Sequence, residues 1–134
     1  MNNPIARVTL SLLRIVAGLI LFCAGALKIF GWFGGMPAGF ALTALLRTAG
    51  WIETVSGPLL MLGLLTRPVA FICSGEMAFA YFIGHFPHGF WPIQNHGETP
   101  VLLCFIFLFL SAAGAGPLSL DELITRRRTE VSTT

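Results

Sequence analysis

The stretch VTLSLLRIVAGLILFCAGALKIF, residues Val8 to Phe30, decides the fold. It is long enough to cross a bilayer, because a spanning helix needs about 20 mostly apolar residues. Only two of its residues, Arg14 and Lys28, are charged. Three more apolar blocks follow, so we predict one domain, residues 1–134, with hydrophobic helices over about 8–30, 49–66, 68–84 and 99–113. The expected fold class is an all-α, integral membrane four-helix bundle with short loops.

The composition of the chain agrees with a membrane protein. Of its 134 residues, 55% are hydrophobic and 10% are charged, whereas soluble domains carry about 25% charged residues. No basic patch interleaved with aromatic residues is present, so nucleic-acid binding has no support. Cys23, Cys73 and Cys104 lie singly, without the spacing of a redox dithiol or a zinc site. We expect these thiols to pack as small apolar groups.

Breaker residues and caps delimit the predicted helices. The Gly- and Trp-rich stretch 31–37 ends the first helix, and Pro68 fits the first turn of the third. The stretch 114–117, with two glycines and a proline, stops the fourth. Ser119 and Glu122 have the spacing of a capping box. They predict a short amphipathic C-terminal helix, from Leu120 to Arg128, outside the bilayer.

The distribution of basic residues predicts the orientation in the membrane. Arg7, Arg67 and the run Arg126–Arg128 all fall on one side of the four predicted helices. The side richer in Lys and Arg is normally the cytoplasmic one. We therefore expect a multi-pass protein of the cytoplasmic (inner) membrane with both termini in the cytoplasm and the loop 85–97 outside. The lipid bilayer is then its first partner.

Two predicted helices carry a polar face lined with small residues. In the first helix, one stripe holds Arg14, Gly18, Leu21, Gly25 and Lys28. In the second helix, the face of the acidic residue at position 53 also holds small residues at 56 and 57. Small residues allow membrane helices to approach closely. We therefore expect these two faces to contact the rest of the bundle.

Ionisable residues within the bundle are the candidate site. A charge at the bilayer centre costs at least about 2.5 to 3.5 kcal/mol on insertion scales, so such residues usually face the interior and are paired. The predicted topology directs one base, three acids and a histidine towards a pocket open to the outer face: Lys28, Glu53, Glu76, His85 and Glu98. Arg14 is expected deeper, in a structural ion network. These groups either hold the helices in register or form a binding and proton-handling pocket, and the excess of acids over bases favours the pocket.

The sequence supports a metal site at the histidines less well than hydrogen bonding or proton transfer. His85, His88 and His96 lie near Glu98, but the first two are separated by Pro87 and so do not share a helix face. No metal is predicted, and hydrogen bonding or proton transfer at the membrane surface is the preferred function of these side chains.

The order and spacing of several short segments resemble the DoxX family of small bacterial membrane proteins. The resemblance spans residues 14–121 and rests on the following segments: 25–28, Glu53 with Gly57, 63–68, 75–81, His85, 95–98 and 114–121. It implies a four-helix fold in the cytoplasmic membrane. The family name comes from similarity to subunits of a thiosulfate:quinone oxidoreductase, and other members are linked to membrane-associated oxidoreductase complexes and oxidative-stress responses.

These observations favour an accessory membrane subunit of a quinone-linked redox system. Its pocket would bind a quinone or a similar lipophilic carrier, and no covalently bound cofactor is expected. Because no flavin, haem or iron–sulfur motif is found, electrons would come from a redox partner protein, and the sequence leaves open whether the chain is itself an enzyme. The alternatives are a structural or assembly protein and a small proton-coupled transporter or solute-binding protein. A transporter of this size would need to form homo-oligomers.

Overall fold

The computed structural model describes residues 3–132, and that part of the chain is all-α. It contains six α-helices and no strand. In chain order, the helices are α1 (Pro4–Phe30), α2 (Ala44–Leu62), α3 (Thr66–Ala80), α4 (Pro92–Asn95), α5 (Glu98–Ala113) and α6 (Leu120–Ser132). The prediction of an all-α fold is confirmed.

Side-chain caps move the starts of two helices ahead of their predicted positions. The Asn3 side chain accepts a hydrogen bond from the backbone N–H of Ile5 at 2.9 Å, and α1 therefore begins at Pro4. Thr43 caps α2 in the same way, so α2 begins at Ala44 rather than near residue 49. Polar residues just ahead of the apolar blocks thus extend both helices.

The turn between α2 and α3 ends α2 before its predicted boundary. Gly63 adopts a left-handed conformation with φ of 69°, and it closes α2 at Leu62. Leu65 is also left-handed, with φ of 51°, and α3 begins at the next residue, Thr66. Beyond Ala80 the chain continues as a π-helical turn, 81–85, and a 3₁₀ turn, 86–88, where a regular helix to 84 was expected.

The helices pack mainly as two antiparallel pairs, α1 with α2 and α3 with α5. Close approach of α1 and α2 depends on glycines: a Cβ at Gly25 would lie 2.6 Å from the backbone nitrogen of Thr54, and one at Gly18 would lie 2.9 Å from the carbonyl oxygen of Gly57. The two pairs share one buried core, with residues from all four helices: Leu10, Ala17, Leu21, Leu60, Val69, Ala70, Cys73, Met77, Leu103, Phe107 and Leu110.

The surface of these helices is apolar, while several charged groups are inside. Phe71, Phe79 and Phe105 are between 66 and 68% exposed. In contrast, Arg14 is fully buried and Glu53 is 2% exposed. Two helical segments, Pro4–Phe30 and Thr66–His88, are long and apolar enough to cross a membrane, and the apolar helix α5 is shorter. An apolar exterior around buried charges is the arrangement expected in lipid.

Candidate functional site

A buried ion pair joins α1 to α2. The Lys28 Nζ lies 2.6 Å from each of the two carboxylate oxygens of Glu53. Glu53 is almost completely buried, and the Lys28 side chain is 18% exposed. An ammonium group has three N–H donors. Two of them bind Glu53, so the third is available to another acceptor.

The close approach of α1 and α2 positions this pair. A Cβ at Gly50, one turn before Glu53, would lie 3.1 Å from the Lys28 Cβ and 3.0 Å from the Ile29 side chain. A larger residue at position 50 would therefore push α1 away and lengthen the distance between the two charges. The small residues that permit helix packing also set the geometry of the ion pair.

Glu76, on α3, supplies a second carboxyl group to the same cluster. It interacts electrostatically with Glu53 and Lys28. Both Glu76 carboxyl oxygens are buried, and within residues 3–132 neither makes a hydrogen bond of normal geometry, although the Glu53 carboxyl group lies near them. A buried polar group without a partner costs about 1–3 kcal/mol, so such groups are uncommon and point to function. One ammonium thus faces two carboxyl groups, and we name these three residues the acid cluster.

The other two predicted site residues are not joined to the acid cluster by any hydrogen bond or ion pair of the described chain. The His85 Nδ1–H donates to the carbonyl oxygen of Asn95 at 3.0 Å. Glu98 lies half-buried in the first turn of α5. His88 and His96 are exposed. No group of three or more His, Cys, Asp or Glu residues suited to a metal occurs in the part of the chain described by the structure.

Asn95 organises the loop between α3 and α5, and the sequence analysis did not identify it. It is 4% exposed. Its Nδ2 donates to the carbonyl oxygen of Gly89 at 2.7 Å, and its Oδ1 accepts the N–H of Gly97 at 2.9 Å. The Tyr81 hydroxyl donates to the carbonyl oxygen of Phe90 at 2.5 Å. The one available sequence signal was the Asn-His-Gly turn pattern, which is typical of a side-chain-capped turn.

The second buried base, Arg14, binds backbone rather than acids. Its Nε donates to Ala115 O at 2.9 Å, and its Nη2 donates to Leu118 O at 2.5 Å. Its Nη1 donates to Leu60 O and, at 2.8 Å, to Met61 O. The guanidinium therefore joins α1 to the C-terminal end of α2 and to the segment before α6. Arg14 lies in a site of its own, which we name the arginine clamp.

Asp121 completes this end of the molecule. Its carboxylate accepts the N–H groups of Leu65 at 2.8 Å and Thr66 at 2.9 Å, and so caps the start of α3. Its own backbone N–H donates to Gly63 O at 2.9 Å. The capping interaction predicted for α6 is present, since the N–H of Glu122 donates to Ser119 Oγ at 3.2 Å. The helix extends further than predicted, to Ser132.

The fold is all-α, its exterior is apolar, and two charged sites are buried inside. These features define the class of this molecule as a small helical membrane protein. The family model named DoxX matches residues 9–86. The chain belongs to the DoxX family, as the resemblance indicated.

Two relatives agree with this assignment. A Haemophilus influenzae protein described as an uncharacterized protein is 40% identical over 118 residues, which cover 84% of this chain and 88% of the relative. A Mycobacterium tuberculosis protein described as an uncharacterized membrane protein is 29% identical over 138 residues, covering 87% of this chain and 82% of the relative. No solved structure matches.

Proposed function

We propose that this protein is an accessory membrane subunit of a quinone-linked redox system, and that the acid cluster binds the lipophilic carrier and exchanges protons with it. The observation that carries the proposal is the Glu76 carboxyl group, which is buried beside an ion pair without a hydrogen-bond partner among the described residues. A merely structural ion pair has no need of that group.

The three side chains of the acid cluster supply complementary functions. Lys28 has one N–H donor that does not bind Glu53, and it donates that hydrogen to a carbonyl oxygen of the ligand. Glu53 holds the ammonium in place. Glu76 carries the proton that accompanies each electron to the carrier, and a redox partner protein supplies the electrons. His85 and Glu98, at the same end of α3 and α5, return the proton to the outer surface.

The membrane arrangement is part of the same proposal. We propose a four-helix bundle in which α1, α2, α3 and α5 all cross the cytoplasmic membrane and both termini lie in the cytoplasm. Its support is the position of the basic residues: Arg7, Arg67 and Arg128 line one cleft at the end of the molecule that also holds the arginine clamp. The side rich in arginine is expected to face the cytoplasm.

Proton-coupled transport is the second candidate, and it is favoured by the same unpartnered carboxyl group. Acids within transporter helices couple proton movement to substrate movement. Residues 3–132 contain two long apolar segments and one shorter apolar helix, Glu98–Ala113, so alternating access would require several copies.

Binding of a quinone to variants of the acid cluster tests the proposal. The protein is purified in mild detergent, and a ubiquinone analogue is titrated while intrinsic tryptophan fluorescence is followed. Glu76→Gln keeps the shape of the side chain and removes the exchangeable proton. Glu122→Gln, in a surface ion pair at the other end of the molecule, is the matched control. We expect Glu76→Gln to weaken binding about tenfold or more, as lost hydrogen bonds to buried charged groups do.

A second variant separates binding from folding. Lys28→Met with Glu53→Gln removes both members of the ion pair, and such double replacements are often nearly neutral for stability. We expect this protein to fold and to fail to bind the quinone. A double variant that folds and binds normally contradicts the quinone site. Reporter fusions at the C-terminus and within the loop 85–97 test the orientation, and a translocated C-terminus contradicts it.

A further inference from the structure

The end of the molecule that holds the arginine clamp also carries an open cleft of about 700 Å³. It lies between the starts of α1 and α3, the end of α5 and the helix α6. Three arginines line it, Arg7, Arg67 and Arg128, together with apolar side chains such as Leu10 and Pro68. The quinone proposal makes no use of this cleft.

The basic residues that line the cleft outnumber the acids, since three arginines face Asp121 and Glu122. Both carboxylate oxygens of Asp121 accept backbone N–H groups of α3. Glu122 binds Arg126 at 3.1 Å and lies 3.7 Å from Arg7. Arg128 has no hydrogen-bond or ion-pair partner in residues 3–132. The cleft is therefore suited to an anion.

The Arg67 guanidinium is held in place but keeps free donors. Its Nη1 donates to Ala112 O at 2.7 Å and to Ser111 O at 3.3 Å, at the end of α5. Its Nε and Nη2 have no hydrogen-bond partner within the described chain. These two nitrogens lie beside Gly114, which also lines the cleft, and a guanidinium held in this way suits a phosphate oxygen.

A second, apolar groove of about 220 Å³ adjoins the cleft. Ala6, Thr9, Leu10, Leu13 and Phe109 line it, on the outer faces of α1 and α5. Leu10 lines both cavities, so the apolar groove adjoins the polar cleft. A ligand with an anionic head and a hydrocarbon chain would fill both parts.

We propose that this composite site binds one anionic phospholipid. The phosphate contacts Arg7, Arg67 and Arg128, and an acyl chain lies in the groove between α1 and α5. The lipid then joins α6 to the bundle, because Arg128 is on α6 while the other two arginines belong to α1 and α3. This site is independent of quinone binding at the opposite end.

Lipid titration of the purified, delipidated full-length protein tests the site, with bound lipid counted by native mass spectrometry. The three probes are long-chain phosphatidylglycerol, long-chain phosphatidylcholine and glycerol phosphate. Arg7→Gln with Arg128→Gln removes two charges from the cleft. Arg47→Gln with Arg127→Gln removes two charges elsewhere, since neither residue lines the cleft. We expect the first pair to weaken phosphatidylglycerol binding about thirtyfold, because each basic residue near an anionic lipid contributes about fivefold.

The groove is tested separately. Ala6→Phe fills it, and Ala44→Phe places the same side chain at the start of α2, away from both cavities. We expect Ala6→Phe to weaken binding of phosphatidylglycerol and to leave glycerol phosphate binding unchanged.

Three results would overturn the proposal: equal losses in the two arginine pairs, equal affinity for phosphatidylcholine and phosphatidylglycerol, or glycerol phosphate binding as tightly as the lipid. If the double variant does not fold, Arg128→Gln alone serves, because this side chain has no partner among the described residues that its loss could disrupt.

Discussion

The two buried bases of α1, Arg14 and Lys28, occupy contrasting sites at opposite ends of one helix. Arg14 donates to four backbone carbonyl oxygens and is completely enclosed. Lys28 contacts the side chain of Glu53, keeps one free N–H, and lies beside a carboxyl group that has no hydrogen-bond partner among the described residues. The Arg14 guanidinium uses four of its five N–H donors on backbone carbonyl oxygens, whereas the acid cluster contains a buried acid that makes no such bond among the described residues.

This difference indicates which of the two sites is available for chemistry. A ligand at the arginine clamp would have to compete with the four backbone hydrogen bonds through which Arg14 holds α1, α2 and the segment before α6 together. A cluster with a spare donor and a spare acid can bind and exchange protons without rearrangement. The hydrogen-bonding capacity that a buried charged group leaves unused is therefore a better sign of a ligand site than its burial.

Removing the clamp is the change with the largest expected effect. Arg14→Met removes the Arg14 donor from the carbonyl oxygens of Met61, Ala115 and Leu118, while Leu60 O keeps the N–H of Gly63 at 3.1 Å. Since each unsatisfied buried group costs about 1–3 kcal/mol, we expect a loss of about 4 kcal/mol or more, or no folded protein. Yield of monodisperse protein and thermal unfolding in detergent measure it. A stable Arg14→Met protein would show that the clamp is dispensable.

Lys28→Met should destabilise the protein by about 3 kcal/mol, because it leaves Glu53 as an uncompensated buried charge. Adding Glu53→Gln should recover most of that loss. The parallel pair, Arg14→Met with Asp121→Asn, should recover nothing, since the clamp's partners are backbone atoms. Thermal unfolding of all four proteins makes the comparison. Equal recovery in both pairs would remove the distinction between the two sites.

Replacing Gly25, where α1 packs closely on α2 beside the acid cluster, should have an intermediate effect on stability. At Gly25→Ala, the new Cβ would lie 2.6 Å from Thr54 N and 2.8 Å from Gly50 O, both backbone atoms. We expect a loss of about 2 kcal/mol from overpacking. Gly75→Ala is the matched control, because nothing lies within 4 Å of its Cβ position. If the two variants unfold at the same temperature, close packing of α1 on α2 is not required for stability.

Glu76→Met should have the smallest effect on stability. The two side chains are similar in size, and the substitution removes a buried polar group that has no partner among the described residues. We expect stability to stay within about 1 kcal/mol of the original or to rise, while quinone binding is lost. Glu53→Met, which breaks the ion pair, should be clearly destabilising. A large loss in Glu76→Met would place that carboxyl group in a structural network instead.

The sequence was informative about helices because apolar blocks and breakers are local signals. The stretch 114–117 ends α5 at Ala113 and Ser119 caps α6, and both signals were visible as residue types. The spacing of Gly18 and Gly25 indicated the face of α1 that packs on α2. The structure also brings Lys28 and Glu53 together, which the charge content of the helices suggested.

Contacts between side chains and distant backbone atoms could not be predicted from the sequence. No side chain encodes the carbonyl oxygens that bind Arg14, so these contacts could not be read from residue types. The Asp121 cap on α3 joins residues 55 and 56 positions apart, and the capping signal was sought only next to each helix. The π-helical turn after Ala80 has no residue pattern of its own.

The hydrogen bonds of the arginine clamp can form only after widely separated parts of the chain have been synthesised. Arg14 is synthesised before two of its acceptors, Ala115 and Leu118, which follow 101 and 104 residues later. Until then the guanidinium lacks half of its partners in a medium that offers few others. A chain that stalls or is truncated before residue 115 keeps an unsatisfied charge at membrane depth.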